Sequence, residues 1–212
     1  MNKFIYKTSK FLNFFSIIFF NFFAIFIYFL SGFIPRNKTK WVFSAWEGKA
    51  FRGSNMYLFK YLENKDDIKA IWITKNKKIL NNSKNKNNII YAYSIKGLYN
   101  LLTAKFIFFS HGMYDLIPFC TRGSKLFCIN HVTFPIKDMS FTKYFQNLSF
   151  FNRLKSYLIS PFDHIKPSFE IVSSNNSKNS TIYLDFNKSK HFNRILPFGL
   201  PKSDYLLKSL KI

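Results

Sequence analysis

Between Lys105 and Lys137 the chain reads KFIFFSHGMYDLIPFCTRGSKLFCINHVTFPIK: two short apolar runs, each leading directly into a histidine. Phe106–Ser110 and Lys125–Asn130 are bounded by turn residues and rich in Phe and Ile, a pattern that suits strands buried on both faces of a sheet. His111-Gly112 follows the first run and His131 follows the second. In open α/β sheets ligands bind outside the carboxyl ends of the strands, so both imidazoles fall where a reaction site is expected. An imidazole titrates near neutral pH and can take a proton from an attacking hydroxyl. Loop histidines hydrogen-bonded to backbone are the alternative reading of the same pattern.

The flanking chain continues the alternation. Trp41–Ala45 reads as a first strand, and Ser54 or Asn55 as the cap of a helix over Met56–Glu63. Ile68–Thr74 is a second strand, and the Lys/Asn-rich Lys75–Asn88 a solvated loop. Ile89–Tyr93 is a third strand, after which Ser94 caps a helix to Ala104, with Ile95, Leu98, Leu101 and Leu102 at helical spacing. Further on, Phe141–Ile159 reads as an amphipathic helix pair, Phe169–Ser173 as a strand and Ser180–Phe186 as a helix. Gly199 and Pro201 make a tight turn, with Ser203 or Asp204 starting a last helix. Strands alternating with single helices imply an α/β fold with right-handed crossovers and a mainly parallel sheet.

Ahead of this lies Phe11–Ile34, which has no charged residue and ten Phe. As a helix it spans roughly 36 Å at ~1.5 Å per residue, enough for a hydrocarbon core of ~30 Å. It is too long for a signal-peptide core, and no small-residue cleavage site follows. Residues 1–40 are therefore expected to be a membrane anchor and 41–212 the folded domain. Lys3, Lys7 and Lys10 precede the run while Arg36, Lys38 and Lys40 follow it, so charge gives no orientation. A spanning helix and one lying in the cytoplasmic interface both fit, and either puts the protein at the cytoplasmic face of the plasma membrane.

With 32 Lys+Arg against 10 Asp+Glu, the formal net charge is +22. Such an excess suits an anionic partner, either a membrane surface or a phosphate-rich substrate. The basic residues are scattered, without the aromatic-basic pattern of a nucleic-acid binder, so no nucleic-acid partner is expected. Cys120 and Cys128 have no metal-type spacing, and neither a metal nor a cofactor is expected; two reduced cysteines of a cytosolic chain is the simpler reading.

Five stretches, GKAFRGSNMYLFKYL (48–62), IKAIWITKN (68–76), YSIKGLYNLLTAKFIFFSHG (93–112), HVTFPIKDM (131–139) and RILPFGLPKSDYLL (194–207), together resemble the CDP-glycerol glycerophosphotransferase family of teichoic-acid-type polymerases and primases. The resemblance implies the N-terminal, Rossmann-like acceptor half of a two-domain GT-B transferase. The family's WHGTPLK motif carries a histidine that acts as base on the acceptor hydroxyl; by resemblance this role falls to His131. Here the motif keeps His131, Thr133, Pro135 and Lys137, but has Asn130 for Trp, Val132 for Gly, and Phe134 inserted.

The implied reaction is attack of a hydroxyl on a lipid-linked acceptor at the β-phosphorus of CDP-glycerol or a similar CDP-polyol, with CMP leaving. His131 takes the hydroxyl proton, and His111, Gly112, Thr133 and Lys137 are the expected substrate-binding residues. GLPKSD is close to the family's GLPRND turn between its two halves. The expectation is thus that residues 1–212 lack the donor half and do not transfer alone. A non-catalytic remnant or partner subunit of such an enzyme is the competing expectation.

Overall fold

A computed structural model describes residues 2–82, 88–129, 148–184 and 194–209. In chain order the elements are α1 (Asn2–Ser31), β1 (Asn37–Phe43), α2 (Ser54–Leu62), β2 (Lys69–Thr74), α3 (Lys77–Asn82) and β3 (Ile89–Tyr91). Next come α4 (Ile95–Thr103), β4 (Ala104–Phe109), β5 (Lys125–Ile129) and α5 (Phe150–Ile159). The last are β6 (Phe169–Ile171), α6 (Asn175–Leu184), β7 (Ile195–Leu196) and α7 (Pro201–Ser209).

The strands form one sheet in the order β3-β2-β1-β4-β5-β6-β7, and every described pair is parallel. Successive side chains of a strand point to opposite faces, and here both faces are covered. Val42, Ile71, Ile73 and Ile107 pack with Leu101 of α4 on one side. Phe43, Trp72 and Phe108 pack with Phe59 and Leu62 of α2 on the other. On that second face Phe43, Phe108, Phe127 and Phe169 are register partners across β1, β4, β5 and β6. Their rings stack in a row with centroids 4.8, 4.9 and 5.1 Å apart, the spacing that the interstrand repeat of ~4.8 Å imposes.

Ser94 caps α4 as expected, its Oγ accepting from Gly97 N at 3.0 Å. A Cβ on Gly97 would lie 2.2 Å from the Tyr91 carbonyl oxygen, so only glycine lets α4 follow β3 this closely. Several local expectations are corrected. The helix start at α2 has Gly53 (φ 82) as its cap residue with no side-chain bond. Asn55 instead turns inward, Nδ2 donating to the Ser44 carbonyl at 2.6 Å. The Lys/Asn-rich stretch is not all loop, because Ile79 and Leu80 pack against the core and hold α3 as a short helix. The helix expected from Ser180 begins at Asn175, and Ile195–Leu196 pairs with β6 as an edge strand. The last helix starts on Pro201, whose fixed φ suits a first turn. Of Phe141–Ile159, α5 is helical and 141–147 lie outside the described residues.

Helix α1 covers the uncharged stretch as far as Ser31 and extends back through the lysines before it. Among the described residues no helix is long and apolar enough to cross a membrane. From Ser16 onward, where side chains are described, Ala24 and Ser31 are buried against the domain while Phe19, Phe20, Phe22, Phe23, Phe26 and Phe29 are exposed. Asn21, a polar interruption in the sequence, donates to the Leu158 and Ile159 carbonyls at 2.7 and 2.8 Å, closing the last turn of α5. Arg36 secures the other end. Its guanidinium donates to the carbonyls of Ser31 (2.8 Å), Leu101 (2.8 Å), Cys120 (3.3 Å) and Arg122, joining α1, α4 and the 118–120 turn.

Candidate functional site at the β1–β4 switch point

The sheet runs β1-β2-β3 in one direction and β4-β5-β6-β7 in the other, so β1 and β4 flank the topological switch point where such sheets bind ligands. Past the end of β1, Trp46, Glu47 and Gly48 all have positive φ, 54°, 56° and 73°. Two consecutive non-glycine residues in this region are strained, and such strain persists only where the surroundings impose it. Gly48 is required sterically as well, since a Cβ would lie 2.9 Å from both the Asp115 carbonyl oxygen and Lys75 Cγ. The Gly48 carbonyl accepts from Lys75 N (2.7 Å) and Thr74 Oγ1 (2.9 Å), pinning the loop to the end of β2.

The element imposing the strain is Asp115, in the turn after β4 and only 1% exposed. Its Oδ1 accepts from Glu47 N at 2.6 Å. Its Oδ2 accepts from Ser110 N (2.7 Å), His111 N (3.0 Å) and Ser110 Oγ (3.1 Å). One carboxylate therefore holds both loops that frame the switch point. Ser44 reinforces the joint, its Oγ lying 2.7 Å from the Asp115 carbonyl and 3.0 Å from that of Ile73.

Around this brace stand the groups able to meet a ligand. Ser110 Oγ lies 2.7 Å from His111 Nδ1. The Trp46 ring packs on His111 at 4.4 Å between centroids, and the Arg52 guanidinium sits 4.0 Å over the same indole. Lys75 Nζ donates to the Tyr114 carbonyl at 2.7 Å. Burial lowers the Lys75 pKa, an effect that the charges of Asp115 and Glu47 oppose. Glu47 pairs with Lys49, which holds its carboxyl below the ordinary range. Tyr114 is pushed up by burial and by the charge of Asp163. The result is a sheet edge with an imidazole, an aromatic platform and three cations, Lys49, Arg52 and Lys75: a set able to meet an anionic ligand that also carries hydroxyl groups. Among the described residues no three His, Cys, Asp or Glu side chains are grouped to hold a metal.

His111 and Gly112, expected from the sequence, stand at this edge. Gly112 has φ 165°, which any residue adopts, and a Cβ there would meet nothing within 4 Å, so what the glycine leaves is open space. His131, Thr133 and Lys137 lie outside the described residues. Sequence reasoning missed Asp115, Trp46 and Ser110. Asp115 stands in an ordinary 3₁₀ turn, and its distance of five residues from Ser110 becomes meaningful only once the β1 loop is seen to fold across it.

The family model for CDP-glycerol:poly(glycerophosphate) glycerophosphotransferase matches residues 26–211. The chain belongs to this family. Among solved structures it is similar to a histidine-to-alanine variant of the wall teichoic acid polymerase TagF, with TM-score 0.58 and 18% identity, over 96% of this chain and 49% of that one. TagF itself matches with TM-score 0.56 and 16% identity, over 98% and 50%. A TagF histidine-to-asparagine variant soaked with CDPG matches with TM-score 0.50 and 16% identity, over 96% and 51%. At such identities the likeness is one of fold, and the chain spans about half the length of these structures. No curated protein matches the chain by sequence.

Proposed function

We propose that the chain is the acceptor-binding, N-terminal half of a GT-B-type glycerophosphotransferase, acting in the synthesis of a teichoic-acid-like envelope polymer. The observation that carries this reading is the cluster at the switch point, where Asp115 holds two loops around Trp46, His111 and Arg52. CDP-glycerol, or a similar CDP-polyol, is the donor; the family's own description and the CDPG soak of a TagF variant support it. The acceptor is lipid-linked. Its hydroxyl attacks the β-phosphorus, CMP leaves, and His131 takes the proton, with Thr133 and Lys137 beside it as substrate contacts. His111 and Gly112 contact the acceptor at the switch point. Phosphoryl transfer depends on positioning and charge stabilisation, so acceptor contacts must be joined by donor contacts for transfer to occur.

Residues 1–40 hold the protein at the cytoplasmic face of the membrane. The exposed phenylalanines of α1, and the exposed Phe150 and Phe151 of α5, the helix whose C-terminal end Asn21 ties to α1, support this. Deleting residues 2–31, which leaves Arg36 and β1 in place, should release the remainder from membranes, and retention after a high-salt wash would contradict it. The reaction is tested by CMP release from CDP-glycerol on acceptor membranes, with a TagF donor-binding half supplied in trans. Release that requires this chain and is lost in His131→Ala, but not in Cys120→Ala, is expected. Release unaffected by His131→Ala would refute the assignment.

A further inference from the structure

We infer that Lys75 is the residue that takes a phosphate group of the acceptor, its ammonium held across the carboxyl end of β1 between the two neighbouring strands. The inference rests on reading the switch-point edge as the acceptor site. In the sheet order β2-β1-β4, Lys75 follows β2 and Tyr114 lies in the turn after β4. The 2.7 Å bond from Lys75 Nζ to the Tyr114 carbonyl therefore carries the side chain across the end of β1, the strand between them. Its stem passes over Gly48, where a Cβ would lie 2.9 Å from Cγ and 3.2 Å from Cδ. Lys75 N donates to the Gly48 carbonyl at 2.7 Å, which fixes the stem's starting point. A residue without a side chain at 48 is what lets the ammonium reach the switch point.

A lysine ammonium carries three N–H donors, and the Tyr114 carbonyl uses one of them. The carboxylates of this edge are engaged elsewhere. Asp115 accepts from Glu47 N, Ser110 N, His111 N and Ser110 Oγ, while Glu47 pairs with Lys49. Among the described residues, no carboxylate lies within ion-pair distance of Lys75. Burial works against its charge and lowers its pKa, and the charges of Asp115 and Glu47 offset this only in part. A cation kept half-buried without a paired carboxylate is costly unless a ligand uses it. A phosphate oxygen brings both the negative charge and an acceptor for the other N–H donors. Lys49 is tied to Glu47 and the Arg52 guanidinium lies over Trp46, so Lys75 is the cation that the fold aims at the end of β1.

The test uses the full chain in micelles at constant ionic strength, with glycerol phosphate as the probe and glycerol as its uncharged control. Reductive methylation followed by peptide mass spectrometry reads individual lysines in the wild type. Glycerol phosphate should slow labelling of Lys75 at least about threefold and leave Lys69, at the amino end of β2, unchanged. Glycerol should protect neither. Thermal unfolding then separates binding from support. Lys75→Met should melt no lower than the wild type, because the bond to the Tyr114 carbonyl is exposed and water replaces it. Glycerol phosphate should raise the melting temperature of the wild type and not that of Lys75→Met. A variant that melts well below the wild type, or keeps the full response, would make Lys75 a strut of the fold and overturn the inference. Equal labelling of Lys75 with and without glycerol phosphate also overturns it, and leaves the acceptor reading standing on its other contacts. Stronger protection of Lys75 by CDP-glycerol than by glycerol phosphate assigns the contact to the donor, and removes the inference and the acceptor reading together.

Discussion

Replacing Asp115 by alanine should cost more than any other change at the cleft, because it strands four donors at once. Ser110 N is buried, and Glu47 N, His111 N and Ser110 Oγ lie in partly or fully buried surroundings. A buried donor left without its acceptor costs about 1–3 kcal/mol, and a partly wetted one less. Taking the full penalty for Ser110 N and a fraction for the others gives about 3–5 kcal/mol, a fifth or more of the ~5–15 kcal/mol that holds an ordinary domain. The strained Trp46–Gly48 loop also loses what imposes its left-handed backbone. Urea denaturation followed by circular dichroism is the assay. With a slope of about 2–3 kcal/mol per molar, the midpoint should fall by roughly 1–2.5 M. Asp115→Asn keeps one acceptor oxygen and should fall in between. A midpoint within about 0.3 M of wild type for Asp115→Ala would show that the carboxylate does not hold the two loops together.

Arg36→Met removes the donors to the Ser31, Leu101, Cys120 and Arg122 carbonyls; a loss of about 2–4 kcal/mol is expected, together with faster proteolysis between α1 and β1. Gly112→Ala should leave the melting temperature unchanged, since its Cβ meets nothing within 4 Å, while weakening acceptor binding about tenfold by filling that space. Burial pushes the Cys120 thiol up to about 12 from an ordinary 9.0. The thiol should therefore resist iodoacetamide in the folded chain at pH 8. Its folded pKa is raised, so its contribution to stability is intact below pH 9.0 and lost between there and about 12. Wild type should accordingly lose stability relative to Cys120→Ala across that window, and parallel pH profiles for the two chains would count against it.

The elements that sequence alone located are those with strong periodic burial. The parallel sheet followed from Phe106–Ser110 and Lys125–Asn130, which match β4 and β5 to within one or two residues. The Ser94 cap was legible because its partner, Gly97 N, is three residues away. What was not legible depended on distant neighbours. The short helix α3 owes its existence to Ile79 and Leu80 meeting a core that the Lys/Asn composition around them conceals. Strand β7 has two residues and no pattern of its own; β6 makes it a strand. His111 was found as a histidine after a strand, but the groups bonded to it, Ser110 and Asp115, look like ordinary turn residues. Asn21, a polar residue inside an apolar run, satisfies the carbonyls ending α5, 137 and 138 positions along the chain.

Titration calorimetry of the chain in micelles with a short lipid-linked glycerol-phosphate acceptor measures whether the acceptor binds at the β1–β4 switch point. The expected result is saturable binding that weakens at least tenfold in His111→Ala and in Trp46→Ala, each about 1.4 kcal/mol or more. Arg52→Ala should weaken the phosphate-bearing acceptor far more than a dephosphorylated one. Acceptor binding of wild-type strength in all three variants would contradict the placement of the site.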